Sequence, residues 1–334
     1  MLYLIQENCF REANYDYLVE SLQRLGLEYV QVKVLPFVDS FRCMDDPDKE
    51  YVTDRKDIFP FGSIKLARIG KDQGWEPGSI ITENHDFQVY REHYRENLLN
   101  WDSKVVNFTD SWVWDEEMYF VRPCKDTKAF TGSVFTKAEW EEFVHRSLTN
   151  GHLASTDNNT LMSEVLRKTE IQVSSVKDIQ REYRFWVIGG KVVTGSMYRL
   201  GGRFHVSDQV DPDAVSFAES MVKLWQLDKR GFILDVCLAD GQWKIVECGC
   251  LNCAGFYAAN LPKVLAALED LFNPVNKCDV CAYNKSYVTG DDEYPARTCI
   301  SYCAKGHWEN VQAGEPGTEP DPFANCADYT PFYK

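Results

Sequence analysis

The chain has 334 residues, of which 44% are apolar and 13% aromatic, a composition typical of packed globular proteins rather than disordered ones. Acidic residues outnumber basic ones by 51 to 36, and the net charge of −15 disfavours a general nucleic-acid binder, so we expect no nucleic-acid partner. No stretch reaches the roughly 18 apolar residues of a membrane span. MLYLIQENCF also lacks the basic start of a signal peptide, so we expect a cytoplasmic protein with no membrane partner.

The first part of the chain, residues 1–105, has the pattern of an α/β domain. LYLIQ (2–6) and EYVQVKV (28–34) are typical of short strands, and NYDYLVESLQRLG between them has helical spacing and ends on Gly26. This strand–helix–strand order predicts parallel strands. An apolar run from Ser63 to Ile69 and a predicted helix from Asp86 to Leu99 follow.

The second part, residues 106–275, predicts an α+β domain with antiparallel strands. Its strands are REYRFWVI (181–188), KVVTGSMYR (191–199), FILDVCL (232–238) and WKIVEC (243–248). Gly189-Gly190 and Asp240-Gly241 are turn signals that form two hairpins from them. The first turn pairs position 188 with 191, and therefore 184 with 195. Helices are predicted over 212–225 and 261–272.

Two acidic residues, Asp235 and Glu247, lie inside otherwise apolar strands, where a lone carboxylate is costly to bury. If the second turn has three residues, Asp235 lies opposite Glu247 with Cβ atoms about 5 Å apart. A strict two-residue turn puts Glu247 on the other face. The first register, with the amide of Asn252 nearby, predicts a magnesium site, because magnesium prefers hard oxygen ligands. The alternative is that one acid faces solvent at the sheet edge and the other pairs with a lysine.

Two groups of cations could face the phosphates of a nucleotide. YFVRPCKDTKAFTG carries Arg122, Lys125 and Lys128 on one loop, which could spread the charge of a triphosphate. A solvated charged turn has the same pattern. The second group lies on one predicted face of the Gly-Gly hairpin, with Trp186 and Val193, and comprises Arg184, Lys191 and Arg199. This face suits an anion-binding surface, although an exposed amphipathic sheet would look similar.

Several ordered motifs carry a resemblance to a known family. They are FPFGSIKLARIG with the following WEPG, YRENLLNWD, VRPCKDTKAFTGSVF, EYRFWVIGGKVVTGSMYR, GFILDVCL and VECGCLNCAGFY. Together they resemble the ATP-grasp ligases, specifically the phage and bacterial clade named for one arginine and two lysines, over most of residues 1–275. The resemblance implies an ATP-grasp fold: an α/β N-terminal domain before an antiparallel-sheet ATP-binding domain.

The resemblance also implies a reaction. ATP phosphorylates a substrate carboxylate to an acyl phosphate, and an amine then attacks it, with ATP and Mg²⁺ as cofactors and small molecules or peptides as substrates. The implied catalytic residues are Arg122, Lys128 and Arg184. The implied nucleotide-binding residues are these three with Lys125 and Glu182, and we add Lys191 and Arg199 from the cationic face of the hairpin. The implied magnesium ligands are Asp235, Glu247 and Asn252. Adenine is expected against the backbone near Val173–Ile179.

One position departs from the family pattern. Many members have Glu-x-Asn in the last strand, but VECGC places Gly249 where the asparagine is expected. We expect Asn252 to substitute for it; if it cannot reach, the second metal is weakened. The same segment also carries three cysteines, Cys248, Cys250 and Cys253. Three interpretations of them are possible: ordinary packing of small residues, a catalytic thiol or a second metal site.

The tail, residues 276–334, differs in composition from the rest of the chain. It has few aliphatic residues and carries five of the twelve cysteines. A segment of that size usually needs disulfides or a bound metal ion to be stable. Cys278-x-x-Cys281 with later thiolates is a four-ligand zinc pattern. The tail resembles cysteine-rich modules of phage proteins, which implies Cys278, Cys281, Cys303 and Cys326 as Zn²⁺ ligands. Cys299 and His307 are then spare, and an iron–sulfur cluster, disulfides or free thiols remain alternatives.

Three functions follow from these patterns. The leading one is a carboxylate–amine ligase, for which the tail is structural or recruits substrate. The second is a degenerate ATP-grasp protein that presents the zinc module to a protein partner. The third is a kinase that stops at the phosphoryl product.

Overall fold

The computed structural model describes residues 1–9, 15–35, 39–44, 46, 48–125, 129–149 and 162–273, together with three short strands beyond them. The chain divides into two compact units, Met1–Leu268 and Glu269–Lys334. Among the described helices, none is both long and apolar enough to cross a membrane.

The N-terminal sheet confirms the predicted parallel strands. Its strands are β1 (Leu2–Gln6), β2 (Tyr29–Val34), β3 (Phe41–Cys43) and β4 (Ile58–Phe61), in the order β3-β2-β1-β4. β1 pairs in parallel with both β2 and β4. Helix α1 (Tyr15–Arg24) connects β1 to β2, and Gly26 follows it with a φ of 65°, a conformation that glycine adopts without strain. The apolar run at 63–69 forms α2 (Ile64–Asp72), whose first turn is capped by Ser63.

The helix predicted from Asp86 to Leu99 is shorter than expected. Helix α3 spans Phe87–Tyr94, and a 3₁₀ turn, Arg95–Asn97, follows it. Arg95 has a φ of 46°, which a right-handed helix does not permit, so the α-helix ends there.

The second sheet, which is smaller than the third sheet described below, is entirely antiparallel. It contains β5 (Lys104–Asn107), β6 (Met118–Pro123), β7 (Ser133–Thr136) and β8 (Glu170–Ser175), in the order β5-β8-β6-β7. Helices α4 (Lys137–Thr149) and α5 (Met162–Arg167) lie between β7 and β8 in the chain. Trp140 of α4 packs edge-on against Phe108, with ring centroids 5.3 Å apart, and anchors an aromatic core on one face of this sheet.

The third sheet is the largest and forms the floor of the candidate site. Its strands are β9 (Ile179–Ile188), β10 (Lys191–Leu200), β11 (Arg203–Ser207), β12 (Gly231–Ala239) and β13 (Gln242–Gly249), in the order β11-β10-β9-β12-β13. Helix α6 (Pro212–Leu224) buries Ala214 and Ala218 against one face of this sheet, in a core with Phe185 and Phe232. Helix α7 (Leu261–Phe272) follows β13 in the chain. The face opposite α6 carries the polar residues described below.

The first hairpin confirms the predicted turn but not the register beyond it. Lys191 pairs with Ile188, as Gly189-Gly190 predicts. Arg184, however, lies opposite Ser196 and not position 195. The cause is a bulge at Val193, an extra residue that shifts every later pair by one.

The second hairpin reaches the predicted pairing by a different route. The three-residue turn is wrong: Ala239 pairs with Gln242 around Asp240-Gly241, whose φ values of 50° and 71° suit a two-residue turn. Asp235 nevertheless pairs with Glu247, as expected from the longer turn. A bulge at Val246 supplies the extra residue that the turn lacks.

Beyond the end of α7, the second unit is described only by three strands, which form an antiparallel sheet. They are β14 (Asn284–Thr289), β15 (Thr298–Cys303) and β16 (Val311–Gln312). Of the predicted zinc ligands, Cys278, Cys281 and Cys326 lie outside the described residues, and Cys303 is placed only by its backbone, as the last residue of β15. The predicted boundaries at 105 and 275 stay predictions.

Candidate functional site

A row of charged residues crosses the third sheet on the face opposite α6. Arg184 of β9 pairs with Asp235 of β12, and Asp235 pairs with Glu247 of β13. Residues that pair across strands project to the same face. The bulge at Val246 is therefore what turns Glu247 toward Asp235; without it, the two-residue turn would put Glu247 in the core.

The innermost pair of this row is a buried ion pair. Arg184 Nε donates to Asp235 Oδ1 at 2.9 Å and Nη2 donates to Oδ2 at 2.7 Å, a bidentate arrangement. The side chain of Asp235 is 2% exposed and that of Arg184 is 12% exposed. Burial raises the pKa of Asp235, and the charge and hydrogen bonds of Arg184 oppose that rise. A third bond, from Arg184 Nη1 to Gly255 O at 3.3 Å, fixes the guanidinium plane.

The outer end of the row joins two sheets. Glu247 forms an ion pair with Arg122, which comes from β6 of the smaller sheet. Glu247 Oε1 also lies 4.0 Å from Arg184 Nη2. Glu247 is 26% exposed and Arg122 21% exposed, so this pair is open to solvent in a way that Asp235 is not. Four charges, positive–negative–negative–positive, thus run from β9 to β6; we call them the charge row (Arg184, Asp235, Glu247 and Arg122).

A second bulge directs two neighbouring side chains to one carboxylate. In β10, Met197 pairs with Tyr183 and Arg199 with Glu182, which leaves Tyr198 as an extra residue. Tyr198 Oη donates to Glu182 Oε2 at 2.7 Å, and Arg199 Nη1 lies 3.7 Å from Oε1. Successive residues of a regular strand point to opposite faces, so this double contact depends on the bulge.

Glu182 is the second buried carboxylate of the third sheet, after Asp235. Burial raises its pKa, while the bond from Tyr198 and the charge of Arg199 lower it by less. Glu182 lies two residues from Arg184 on β9, and Arg199 lies opposite Glu182 on β10. Tyr198 was not predicted; the only sequence signal for it is its position next to an arginine in a strand.

The remaining predicted cations are placed less closely. Lys125 is 57% exposed and its Nζ lies 3.3 Å from Asp86 Oδ2. Lys128 lies outside the described residues. Lys191 is at the hairpin turn opposite Ile188, four residues along β9 from Arg184, or about 13 Å at the usual rise per residue. Lys191 thus shares the predicted face of the hairpin with Arg184 and Arg199 but lies away from the charge row.

Asn252 has a structural position. It is 1% exposed, its Oδ1 accepts a hydrogen bond from the Ile80 amide at 2.8 Å, and its Nδ2 donates to Pro60 O at 2.7 Å. Its own carbonyl accepts from the Gly62 amide at 2.9 Å. The side chain thus joins the turn after β13 to β4, through Pro60, and to the loop that follows α2, through Ile80. We therefore leave Asn252 out of the metal site.

Gly249 leaves room where the family pattern has asparagine. It pairs with Ile233, on the same face as Glu247 and Asp235. Within the described part of the chain, a Cβ added there would meet only the Cβ of Ile233, at an ordinary contact distance of 3.8 Å. Among the described residues, no group of three or more His, Cys, Asp and Glu side chains is arranged to hold a metal ion. Asp235 and Glu247 supply two such side chains, with oxygen donors of the kind that magnesium prefers.

The cysteines near the site are packed rather than activated. Burial raises the pKa of the Cys248 thiol well above its usual range and raises that of Cys237 to about 12. Cys250 is also buried, at 3% exposure. A protonated, buried thiol is a poor nucleophile, which favours the packing interpretation for Cys248.

The segment expected to hold adenine, Val173–Ile179, joins the two sheets of the site, as the end of β8 and the start of β9. Lys177 Nζ donates to Ser175 Oγ at 2.7 Å and lies 3.7 Å from Asp102 Oδ2, which holds this connection in place. Adenine binding there stays a prediction.

The second and third sheets are both antiparallel, and charged side chains from the two meet in the ion pair of Arg122 and Glu247. This arrangement defines the class of the protein, an ATP-grasp fold. Residues 41–268, more than half of the chain, match the family described as an ATP-grasp domain, the third family of the clade named for one arginine and two lysines. The chain therefore belongs to that family, in agreement with the motifs of the sequence. The phage-type cysteine module lies outside this match.

Solved structures show the same fold at low sequence identity. A RimK domain protein ATP-grasp from Sphaerobacter thermophilus is 12% identical, with a TM-score of 0.52 over 81% of this chain and 99% of that one. An L-amino acid ligase from Bacillus licheniformis is 13% identical, with a TM-score of 0.52 over 87% of this chain and 81% of that one. No curated protein sequence matches the chain.

Proposed function

We propose that the chain is a magnesium-dependent carboxylate–amine ligase that uses ATP and acts through an acyl phosphate. The observation that carries the proposal is the charge row, in which two carboxylates lie between two arginines from different sheets. In the first step, a substrate carboxylate oxygen attacks the γ-phosphorus and ADP leaves. In the second, an amine attacks the acyl carbon, loses a proton and displaces phosphate. Both steps concentrate negative charge, which fixed cations stabilise.

Asp235 and Glu247 would hold the magnesium. They lie opposite each other on adjacent strands, and their oxygens suit a hard cation. When bound, magnesium neutralises phosphate charge and orients the phosphate groups. Glu247 is the more available of the two, because it is partly exposed and Asp235 is held by two hydrogen bonds from Arg184.

Arg122 would act as the exchange partner in this site. In the structure it neutralises Glu247. Phosphate oxygens are alternative acceptors for a guanidinium, so nucleotide binding would draw Arg122 away from Glu247 and release that carboxylate. Metal and nucleotide would then each favour the binding of the other. Arg184 would remain fixed by Asp235 and Gly255, with its remaining N–H groups directed at the anionic substrate. We assign Lys125 and Lys128 to the outer phosphates.

The proposal is tested by trapping the acyl phosphate. Hydroxylamine attacks acyl phosphates to give hydroxamates, so the intact chain with ATP, magnesium and a panel of carboxylates should form a hydroxamate in at least one case. Glu247→Gln should reduce its formation by about a hundredfold or more, since it removes one of two charged ligands. Glu219→Gln is the matched control, because Glu219 is an exposed residue of α6, which packs on the sheet face opposite the charge row. No ATP binding by the intact chain would refute the proposal, and a phosphorylated product inert to hydroxylamine would identify a kinase.

Gly249 favours a second candidate, the degenerate ATP-grasp protein that binds a partner. The site has two carboxylates and an open position where a third ligand would fit. If the chain is degenerate, the native protein will fail to bind magnesium–ATP, and Gly249→Asn will restore binding. If it is an active ligase, the native protein will bind magnesium–ATP and this substitution will change affinity only modestly.

The zinc module remains a proposal from the sequence. Cys278, Cys281, Cys303 and Cys326 would bind one Zn²⁺ and so order a tail that has few aliphatic residues. Metal analysis of the purified chain should find about one zinc per chain, and Cys278→Ser should abolish it. A zinc-free tail that is folded would refute the assignment.

A further inference from the structure

Three aromatic rings run from the charge row to the protein surface. Tyr198 and Tyr257 are stacked, with centroids 5.1 Å apart and an interplanar angle of 12°. Phe204 of β11 lies against Tyr257 at 6.1 Å. Tyr198 is 8% exposed and Phe204 is 63% exposed, so the series passes from the interior to solvent. We call these three residues the aromatic platform.

The backbone is shaped to present this platform. Tyr198 reaches the face through the bulge in β10. Tyr257 has a φ of 51°, a conformation that is strained for a bulky residue and persists only where neighbours enforce it. Those neighbours are Gly255 O, which accepts from Arg184, and the Ala258 amide, which donates to Ser196 Oγ at 3.0 Å. Strain held in this way next to a reaction centre points to function.

Cations lie at both ends of the platform. The guanidinium carbon of Arg184 is 5.0 Å from the centroid of the Tyr257 ring and 5.7 Å from that of Tyr198. Arg199, 53% exposed, pairs with Phe204 across β10 and β11 and so projects from the same face. A guanidinium has five N–H donors. Asp235 and Gly255 use three of those on Arg184 within the described part of the chain, which leaves donors for an incoming carboxylate.

We propose that the carboxylate substrate is an aromatic acid, whose ring stacks on Tyr257 and Phe204 while its carboxylate faces Arg184. This inference rests on the proposed ligase function and names the class of its substrate. A flat ring fits because aromatic side chains stack on one another with centroids at these distances. A carboxylate fits because the inner end of the platform is cationic. The acid is either a free aromatic acid or the C-terminal aromatic residue of a peptide.

The platform can be tested by equilibrium binding, without turnover. Calorimetry with the full chain should show that 3-phenylpropionate binds about tenfold more tightly than 3-cyclohexylpropionate, which has a similar size but no aromatic face. Phe204→Ala should reduce this preference to about threefold or less, and Phe204→Tyr should keep it. Leu224→Ala, which removes an exposed apolar side chain at the end of α6, is the matched control and should leave it unchanged. Glycyl-phenylalanine distinguishes a peptide from a free acid.

Failure of the platform is distinguishable from failure of the ligase proposal. Equal affinity for the two acids, or a preference that Phe204→Ala leaves intact, would overturn the platform even if hydroxamates form. A loss of ATP affinity in Phe204→Ala with unchanged acid binding would also overturn it, because the rings would then hold adenine. Selective binding of the aromatic acid by a chain that makes no hydroxamate would support the platform while removing the catalytic proposal.

Discussion

Replacing Asp235 with asparagine is expected to destabilise the fold much more than replacing Glu247 with glutamine, although both changes remove one charge from the same row. Asparagine keeps the size of the side chain and one acceptor oxygen. It leaves the guanidinium of Arg184, 12% exposed, with its nearest remaining carboxylate oxygen on Glu247, 4.0 Å away. Both substitutions replace a carboxylate by an amide, so the difference between their losses of unfolding free energy measures the effect of burial.

The magnitudes follow from exposure. Breaking a buried ion pair by removing one partner costs about 3–5 kcal/mol, because a buried charge is left uncompensated. Asp235, 2% exposed, belongs to that class. Glu247 and Arg122 are 26% and 21% exposed, so water can replace the lost partner and the expected cost is about 1 kcal/mol or less.

Urea unfolding followed by tryptophan fluorescence measures both losses. Trp186 is fully buried on β9, two residues from Arg184, and reports on this sheet. The double variant Arg184→Gln with Asp235→Asn should lose less than the sum of the single variants, with a coupling energy of at least about 2 kcal/mol. Equal losses for Asp235→Asn and Glu247→Gln, or additive losses in the double variant, would refute the assignment of Asp235 to a buried pair.

Three further results are expected. Arg122→Gln should tighten Mn²⁺ binding measured by electron paramagnetic resonance without nucleotide and weaken ATP binding; unchanged Mn²⁺ affinity would contradict the exchange between Glu247 and phosphate. Relative to the native chain, Glu182→Gln should become more stable as the pH rises above about 4, the ordinary pKa of a glutamate carboxyl, because burial raises the pKa of Glu182 and the native state loses stability as that carboxyl ionises; thermal midpoints of the two proteins that stay parallel as the pH rises would contradict it. Asn252→Ala should cost about 2–3 kcal/mol in urea unfolding, since it strands the Ile80 amide and Pro60 carbonyl; a loss below about 0.5 kcal/mol, the range of ordinary surface substitutions, would refute its structural role.

Periodicity and turn chemistry predicted the elements of the fold, but not the local register. The two-residue turns follow from Gly189-Gly190 and Asp240-Gly241, because such residues accept positive φ. The bulges at Val193, Tyr198 and Val246 could not be read in the same way. The bulge at Val246 arises where the register that buries the residues near the turn differs from the register that places Glu247 beside Asp235.

The hairpin of β12 and β13 shows this competition. The observed register buries Ile245 completely and leaves Lys244 free to donate to Glu96 O at 2.8 Å. A three-residue turn without a bulge would shift both residues by one position and exchange their faces. The hydrophobic pattern near the turn therefore requires the short turn, while the site requires Glu247 beside Asp235. Only the bulge satisfies both.

The site residues divide in the same way. Asp235 and Glu247 were predicted because carboxylates in apolar strands are costly unless paired, and Arg184 because it lies on the cationic face of the hairpin and matches the family pattern. That Asp235 would pair with Arg184, and that Arg122 of another sheet would complete the row, depends on tertiary contacts. Sequence cannot separate the two roles of Asn252, because a buried amide that joins two parts of the fold has the same sequence signature as a ligand. Tyr257 carries no sequence signal for its left-handed backbone.

The bulge at Val246 also makes this hairpin tolerant of one particular deletion during evolution. A bulge adds one residue to one strand only, so a chain without Val246 would keep Ala239 paired with Gln242 and Asp235 paired with Glu247. A turn that takes in Gln242 as a third residue also keeps the two carboxylates together, but it exchanges the faces of Lys244 and Ile245. Descendants of the chain can therefore lose the bulge by deletion while the carboxylates stay side by side.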